Sequence, residues 1–241
     1  MVVLPPDPGL ADLAKNSPKI QFVAIGIPGL QPSANLSLIG PQGFQPDQQA
    51  FMAGYLAAII TDDWRVGLLT LAGNPTSLVE EDAFTNGVRF FCGLCRPAHP
   101  PYVAYPQVSE LTSTGDSTGW QSSVDGLIQN GVTTVYISPE ISSSDLLTYL
   151  IKSNVDLIGG QTPPNTVLPL WIATILPDPT SALSQLWPDL IAGKGGVQVP
   201  MPIKLTDTSS GLLNPARQRL VNTTLDDLVN GFIQPNPVST P

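Results

Sequence analysis

Two cysteines stand close enough together to do redox chemistry or to form a short disulfide. Cys92 and Cys95 make a C-G-L-C motif that follows the predicted helix Thr76–Phe91. A catalytic C-x-x-C motif usually lies at a helix N-terminus, where the helix dipole stabilises a thiolate, whereas the C-terminal end of a helix disfavours it. We therefore favour a structural disulfide formed in an oxidising compartment. Two free thiols and a redox pair remain the alternatives.

The single histidine limits both hydrolytic and metal chemistry. A Ser-His-Asp triad would have to use His99, which lies among prolines in the loop Arg96–Pro101, and the chain has no G-x-S-x-G motif. A zinc site needs four ligands, so Cys92, Cys95 and His99 would still need a carboxylate. We expect His99 to be an exposed loop residue. The sequence thus predicts no catalytic residues, no metal site and no cofactor, and a protein that is not an enzyme.

The charge balance excludes nucleic acid as a partner. The chain has 241 residues with 19 acidic and 10 basic side chains, which gives a formal charge of −9. The basic residues form no cluster that could neutralise a phosphate backbone. The chain has no run of about 18 apolar residues, so the sequence predicts no transmembrane helix. The 42% of apolar residues is enough for a substantial core.

The stretch Pro46–Ala72 predicts a buried helix followed directly by a buried strand. Pro46 suits the first helical turn, and Asp47 places a negative charge at the positive end of the helix dipole. Apolar or small residues then cover more than one face of the helix. Val66–Leu71 is a continuous apolar run, typical of a parallel strand covered on both faces. Together they form half of a βαβ unit.

Strands and helices alternate along the rest of the chain. The other predicted strands are Val2–Leu4, Ile20–Ile25, Asn35–Ile39, Tyr102–Val108, Val132–Ile137, Val155–Gly159, Leu170–Ile175 and Gln198–Leu205. The other predicted helices are Leu10–Asn16, Thr76–Phe91, Trp120–Asn130, Ser143–Ser153, Thr180–Ala192 and Pro215–Asn230. In Thr76–Phe91 the helical stripe is Leu78, Ala83, Phe84, Gly87, Val88 and Phe91, and Glu80, Glu81 and Asp82 fill the first turns. This order predicts a doubly wound α/β fold with a parallel sheet.

Polar side chains follow three of the predicted strands, at the sheet edge where open α/β folds bind ligands. The three turns are Ala72–Thr76, Ser138–Ser142 and Gly160–Thr162. The residues that could hydrogen-bond a ligand are Asn74, Ser138, Glu140 and Gln161, and Trp171 or Phe44 could stack on a planar solute. Alternatively each polar residue only shapes a turn or caps a helix, since Asn and Ser favour such positions. The mostly uncharged set favours a neutral, polar or aromatic solute.

The helix–strand stretch Asp47–Leu71, with its AGYLAAIIT core followed by RVGLL, resembles a known family. This is the basic membrane protein family of ABC-transporter substrate-binding lipoproteins, which includes purine-nucleoside receptors. The AFTNGVRFF segment at Ala83–Phe91 is similar to the next helix of that family. Gly126–Ile137 and Leu146–Gly160 resemble it in the order of their elements. The resemblance spans roughly Val2–Ile191.

The resemblance implies a type I periplasmic-binding-protein fold, α/β with two Rossmann-like lobes of parallel sheet. Residues 1–44 would be the remnant of an N-terminal lobe, which is incomplete because the family's opening βα units have no counterpart here. Residues 45–172 would be the C-terminal α/β lobe. Residues 173–241 would recross the hinge and complete both lobes with a helix and a tail.

The resemblance also implies a function. The chain would be an extracytoplasmic solute-binding protein, tethered to the membrane as a lipoprotein in its full-length form, with the leader outside this sequence. It would act as a monomer and deliver a small neutral or aromatic solute, such as a nucleoside, to an ABC permease. Two places depart from the family: Gly159, Gly160 and Gln161 stand where relatives place an Asp, and Leu176 and Pro177 where they carry a Lys. The alternative is a ligand-sensing or interaction domain of the same fold without a transport role.

Overall fold

The computed structural model describes residues 1–95, 100, 102–112, 117–208 and 211–236. The strands are β1 Val2–Val3, β2 Phe22–Ile25, β3 Leu36–Ile39, β4 Val66–Leu71, β5 Gln107–Leu111, β6 Thr134–Ile137, β7 Asp156–Gly159, β8 Trp171–Pro177, β9 Gln198–Val199 and β10 Ile203–Thr206. The helices are α1 Leu10–Asn16, α2 Pro46–Ile60, α3 Pro75–Cys92, α4 Ser117–Gln129, α5 Ser144–Lys152, α6 Pro179–Ile191 and α7 Pro215–Val229. A 3-10 helix spans Asn165–Leu170.

The chain divides into two compact units. Unit 1 comprises Met1–Gln45 and Pro177–Lys204, and unit 2 comprises Pro46–Leu176 and Leu205–Pro241. The chain therefore passes from one unit to the other after Gln45, after Leu176 and after Lys204. No helix among the described residues is long and apolar enough to span a membrane.

Unit 1 is built on a four-stranded parallel sheet in the order β1-β2-β3-β9. Side chains of β2 alternate between two apolar clusters, as the period of a strand requires. Phe22 packs with α1 in one cluster, and Val23 packs with α6 in the other. The buried Asn35 amide donates to three carbonyl oxygens at and beyond the end of α1, at 2.9 to 3.1 Å. These bonds tie the end of α1 and the segment after it to the start of β3.

Unit 2 contains β4 to β7, all of β8 except Pro177, and the second half of β10. These strands form a sheet in the order β10-β8-β7-β6-β4-β5, with parallel pairing from β8 to β5. Helix α2 is buried around nearly its whole surface, as the sequence predicts. It crosses α3 at two glycines. A Cβ added at Gly54 would lie 2.1 Å from Phe84 O, and one at Gly87 would lie 2.0 Å from Phe51 O. The two backbones approach so closely that no side chain fits between them.

The α/β fold with two sheets of mainly parallel strands confirms the predicted fold class, but three local predictions are wrong. Strand β5 begins at Gln107 rather than Tyr102, directly after Pro106, which has no N–H to give to the ladder. The extended segment Gln198–Leu205 is two strands, β9 and β10, which belong to different sheets. In α3, Leu78 is 64% exposed and Phe91 is 39% exposed, whereas Glu80 is buried.

Candidate functional site

Three turns of unit 2 meet at the C-terminal edge of its parallel sheet. Strands β4, β6 and β7 are neighbours in the order β7-β6-β4, and they end at Leu71, Ile137 and Gly159. Parallel neighbours end at the same edge, so the segments that follow them lie side by side. The Ser138 N–H, for example, donates to Leu69 O at 3.0 Å. This is the edge at which the sequence predicts ligand contacts.

Asn74 links the turn after β4 to the turn after β6. Its Oδ1 accepts the Thr76 N–H at 3.0 Å and caps α3, and its Nδ2 donates to a carboxylate oxygen of Glu140. An amide can do both because it has an acceptor at one end and a donor at the other. Glu140 is exposed. Its carboxylate can therefore accept further hydrogen bonds from a bound molecule.

The turn after β7 contacts the turn after β6. Gln161 Nε2 donates to Pro139 O at 2.7 Å. A Cβ at Gly160 would lie 2.4 Å from Pro139 Cγ and 2.4 Å from Gln49 Nε2. A side chain at position 160 would therefore have to displace the side chains of Pro139 and Gln49.

Gln49 is a candidate residue that the sequence analysis missed. Its side chain is 1% exposed, and its Nε2 donates to Ile175 O. Its Oε1 is buried and has no hydrogen-bond partner among the described residues. A buried acceptor without a partner costs about 1–3 kcal/mol, so a ligand donor that reached it would gain this amount. The signal in the sequence is the pair Gln48 and Gln49, which precede the apolar and small residues of the rest of α2.

Ser138 lies beneath these turns and not at the surface. Its buried Oγ donates to Glu80 Oε1 at 3.1 Å, and Glu80 Oε2 lies 3.1 Å from Thr70 Oγ1. The Glu80 side chain is 1% exposed. Burial raises the pKa of Glu80 to about 7, although the bonds to Ser138 and Thr70 lower it, and the charge of Glu140 adds to the rise. Glu80 could have been found from its spacing, since it precedes the buried Phe84 and Val88 by four and eight residues.

The two aromatic candidates belong to different units. Trp171, which we expected to stack on a planar solute, lies in the core of unit 2 with 2% of its surface exposed. Its ring packs against Gly159, and its Nε1 donates to Thr174 Oγ1 at 3.0 Å. The indole is therefore buried by the fold, and the prediction that it stacks on a solute is wrong. Phe44 belongs to unit 1, is 40% exposed, and remains a predicted contact.

A surface cleft of about 350 Å³ opens beside Asn74. It is lined by Gly73, Asn74, Pro75, Leu78 and Glu110. The exposed Leu78 gives it an apolar wall, and Asn74 and Glu110 give it polar groups. The volume falls at the lower end of the range for small-molecule sites.

The cysteines and the histidine that the sequence offers for redox or metal chemistry do not belong to the three turns. Cys92 and Cys95 are joined by a disulfide at the end of α3. His99 lies outside the described residues. Within the part of the chain that the structure describes, no three His, Cys, Asp or Glu side chains are grouped so that they could hold a metal ion.

Two solved structures share the fold. The chain is 14% identical to an ABC transporter system solute-binding protein from Aeropyrum pernix K1, over 97% of this chain and 76% of that one, with a TM-score of 0.55. It is 10% identical to a transcriptional activator of the comK gene from Bacillus halodurans, over 97% of this chain and 80% of that one, with a TM-score of 0.62. At these identities the likeness shows the fold alone, which is of the type I periplasmic-binding-protein kind. No family model and no curated protein sequence matches the chain.

Proposed function

We propose that this chain is a solute-binding protein whose ligand contacts the C-terminal edge of the sheet in unit 2. The observation that carries the proposal is the hydrogen bond between Asn74 and Glu140, which joins two turns at that edge. Gln161, in the turn after β7, donates a hydrogen bond to Pro139 O in the turn after β6. Gln49 has a buried acceptor, Oε1, next to these turns. Open α/β sheets bind their ligands at this edge.

The composition of the three turns defines the class of ligand. Residues 72–76, 138–142 and 160–162 contain no Lys or Arg, and their one charged side chain is the Glu140 carboxylate. A phosphate or carboxylate ligand would find no cation here, so the ligand is neutral or carries donors. Hydroxyl or amino groups would suit Glu140 and Gln49, and a planar apolar part would suit the cleft beside Leu78. Nucleosides and sugars both meet this description.

The resemblance to the basic membrane protein family extends the proposal to transport. In that case the chain is the extracytoplasmic, lipid-anchored component of an ABC transporter, binds its solute as a monomer without covalent chemistry, and presents it to a permease. The solved structure of the solute-binding protein from Aeropyrum pernix, which has the same fold, supports this role.

A ligand screen with site variants tests the proposal. Thermal unfolding would be measured with nucleosides, purines, flavins and sugars, and we expect one class to raise the Tm. Asn74→Ser and Glu140→Ala should each weaken that ligand about tenfold, the effect of one lost hydrogen bond of about 1.4 kcal/mol. Asp82→Asn, an exposed change on α3, is the matched control. If no compound in the four classes stabilises the protein, the proposal is wrong.

The second candidate is a sensory domain that binds a ligand of the same kind but has no transport role. It is favoured by the likeness to the transcriptional activator from Bacillus halodurans, whose TM-score of 0.62 exceeds that of the solute-binding protein. The neighbouring genes separate the two candidates. A permease and an ATPase would support transport, and a kinase or a DNA-binding regulator would support the sensor.

A further inference from the structure

A buried chain of hydroxyl groups connects Glu80 to the end of β4. Thr70 Oγ1 lies 3.1 Å from Glu80 Oε2 and 2.8 Å from Ser77 Oγ, and Ser77 Oγ lies 2.6 Å from Leu71 O. Each hydroxyl has a single proton to donate, whereas a backbone carbonyl has none. The contacts therefore limit how the protons can be arranged.

A neutral Glu80 provides a proton for every contact in this chain. The Ser77 proton must lie in the contact with Leu71 O, because a carbonyl oxygen can only accept. Thr70 has one proton for two contacts. If Thr70 donates to Ser77, its contact with Glu80 needs a proton from the carboxyl group, and if Thr70 donates to an ionised Glu80, its contact with Ser77 has no proton. The other carboxyl oxygen accepts from Ser138. With neutral Glu80 every contact in the chain is a full hydrogen bond, and with ionised Glu80 one of them lacks a proton.

The groups around Glu80 favour the same state. The ionisable groups that act on it are Glu140, from the turn after β6, and the buried Tyr136 phenol of β6. Strand β4 carries no charged residue, and the one charged residue of α2 is Asp47. No cation among these neighbouring elements stabilises a carboxylate. Because Glu80 touches β4 through Thr70 and the end of β6 through Ser138, its protonation state affects both strand ends at once.

We propose that neutral Glu80 is a proton-linked clamp, which holds the ends of β4 and β6 together beneath Asn74 and Glu140. Loss of the proton breaks the bond between Thr70 and Ser77, places a second negative charge near Glu140, and loosens the two turns that carry the candidate site. The effect of the clamp on stability is independent of any ligand. Its effect on ligand affinity rests on the proposed function.

The sign of the pH dependence follows from linkage. The pKa of Glu80 is about 7 in the folded protein and 4.5 in the ordinary state, so the folded protein binds the extra proton between these values. The contribution of Glu80 to stability is therefore complete below pH 4.5, declines as the pH rises towards about 7, and is constant above it. Glu80→Gln replaces the neutral acid by an amide, which keeps one donor and one acceptor and does not titrate.

Two measurements without ligand test the clamp. Carbon-13 NMR of the wild-type carboxyl groups should show Glu80 titrating near pH 7, and an ordinary titration near 4.5 would overturn the proposal. In thermal unfolding, the Tm of Glu80→Gln relative to wild type should rise as the pH increases across this range, while the Tm of Asp82→Asn should follow wild type. A parallel pH dependence for Glu80→Gln and wild type, or failure of Glu80→Gln to fold, would contradict it. Both measurements are made without ligand, so they test the clamp even if the ligand screen finds no binding.

Discussion

The Asn74 amide donates to the Glu140 carboxylate, and this bond joins the segments that follow two adjacent parallel strands. The same Asn74 side chain caps α3 through the Thr76 N–H. One residue thus sets the start of a helix and holds the neighbouring turn. This arrangement is the basis for placing a ligand at the C-terminal edge of unit 2.

The two roles of Asn74 can be separated by mutation. Asn74→Ser keeps an oxygen that can cap α3 but is too short to reach Glu140, so we expect little change in the free energy of unfolding. Asn74→Ala removes the cap as well and should cost about 1 kcal/mol. Urea unfolding of both variants measures the difference. Equal losses in both would show that the bond to Glu140, and not the cap, sustains stability.

The crossing of α2 and α3 predicts a severe effect from a small substitution. An alanine at Gly54 or Gly87 would place its Cβ within 2.1 Å of a backbone oxygen of the other helix, so each change should cost about 3 kcal/mol or more. Gly126 in α4 has no atom within 4 Å of an added Cβ. Gly126→Ala should instead stabilise by about 0.5–1 kcal/mol, because alanine favours a helix. Similar losses at all three glycines would contradict the close crossing.

Two buried tyrosines predict opposite results for the same chemical change. The Tyr136 hydroxyl has no hydrogen-bond partner among the described residues, whereas the Tyr105 hydroxyl donates to Asn130 O. Tyr136→Phe should leave the free energy of unfolding unchanged or raise it by up to about 1 kcal/mol, because it removes an unsatisfied group. Tyr105→Phe should lower it by about 1 kcal/mol. A loss at Tyr136 larger than that at Tyr105 would show that Tyr136 has a partner.

The disulfide predicts a simple result in mass spectrometry. Intact protein from an oxidising compartment should gain two hydrogen atoms on reduction and should react with a thiol reagent only afterwards. The ring closed by Cys92 and Cys95 is short, so reduction should cost about 2 kcal/mol in the loop-entropy description. Two free thiols in secreted material would contradict the pairing.

The sequence predicted most of the fold because its elements carry clear local signals. Pro46 and Asp47 mark the start of α2, and the apolar run Val66–Leu71 gives β4 its observed bounds. Strand β5 was misplaced because it lies at the edge of its sheet and carries Ser109 and Glu110, so its pattern is not that of a buried strand. An edge strand needs fewer apolar residues, and periodicity alone cannot locate it.

The candidate site was less predictable because it depends on which elements meet. The sequence suggested Asn74, Glu140 and Gln161, which follow strands, but it could not show that Trp171 lies against Gly159 on the adjacent strand. Gln49 and Glu80 were missed because a polar residue near the start of a helix usually faces solvent. In both cases the contacts that bury them come from segments far away in the chain.

One titration tests most directly whether the ligand binds at the C-terminal edge of unit 2. The side-chain amide resonances of Asn74, Gln161 and Gln49 would be followed by nitrogen-15 NMR while the best compound of the ligand screen is added. We expect these three resonances to shift together and to saturate at the concentration that raises the Tm. Saturable binding that leaves all three unchanged would contradict it.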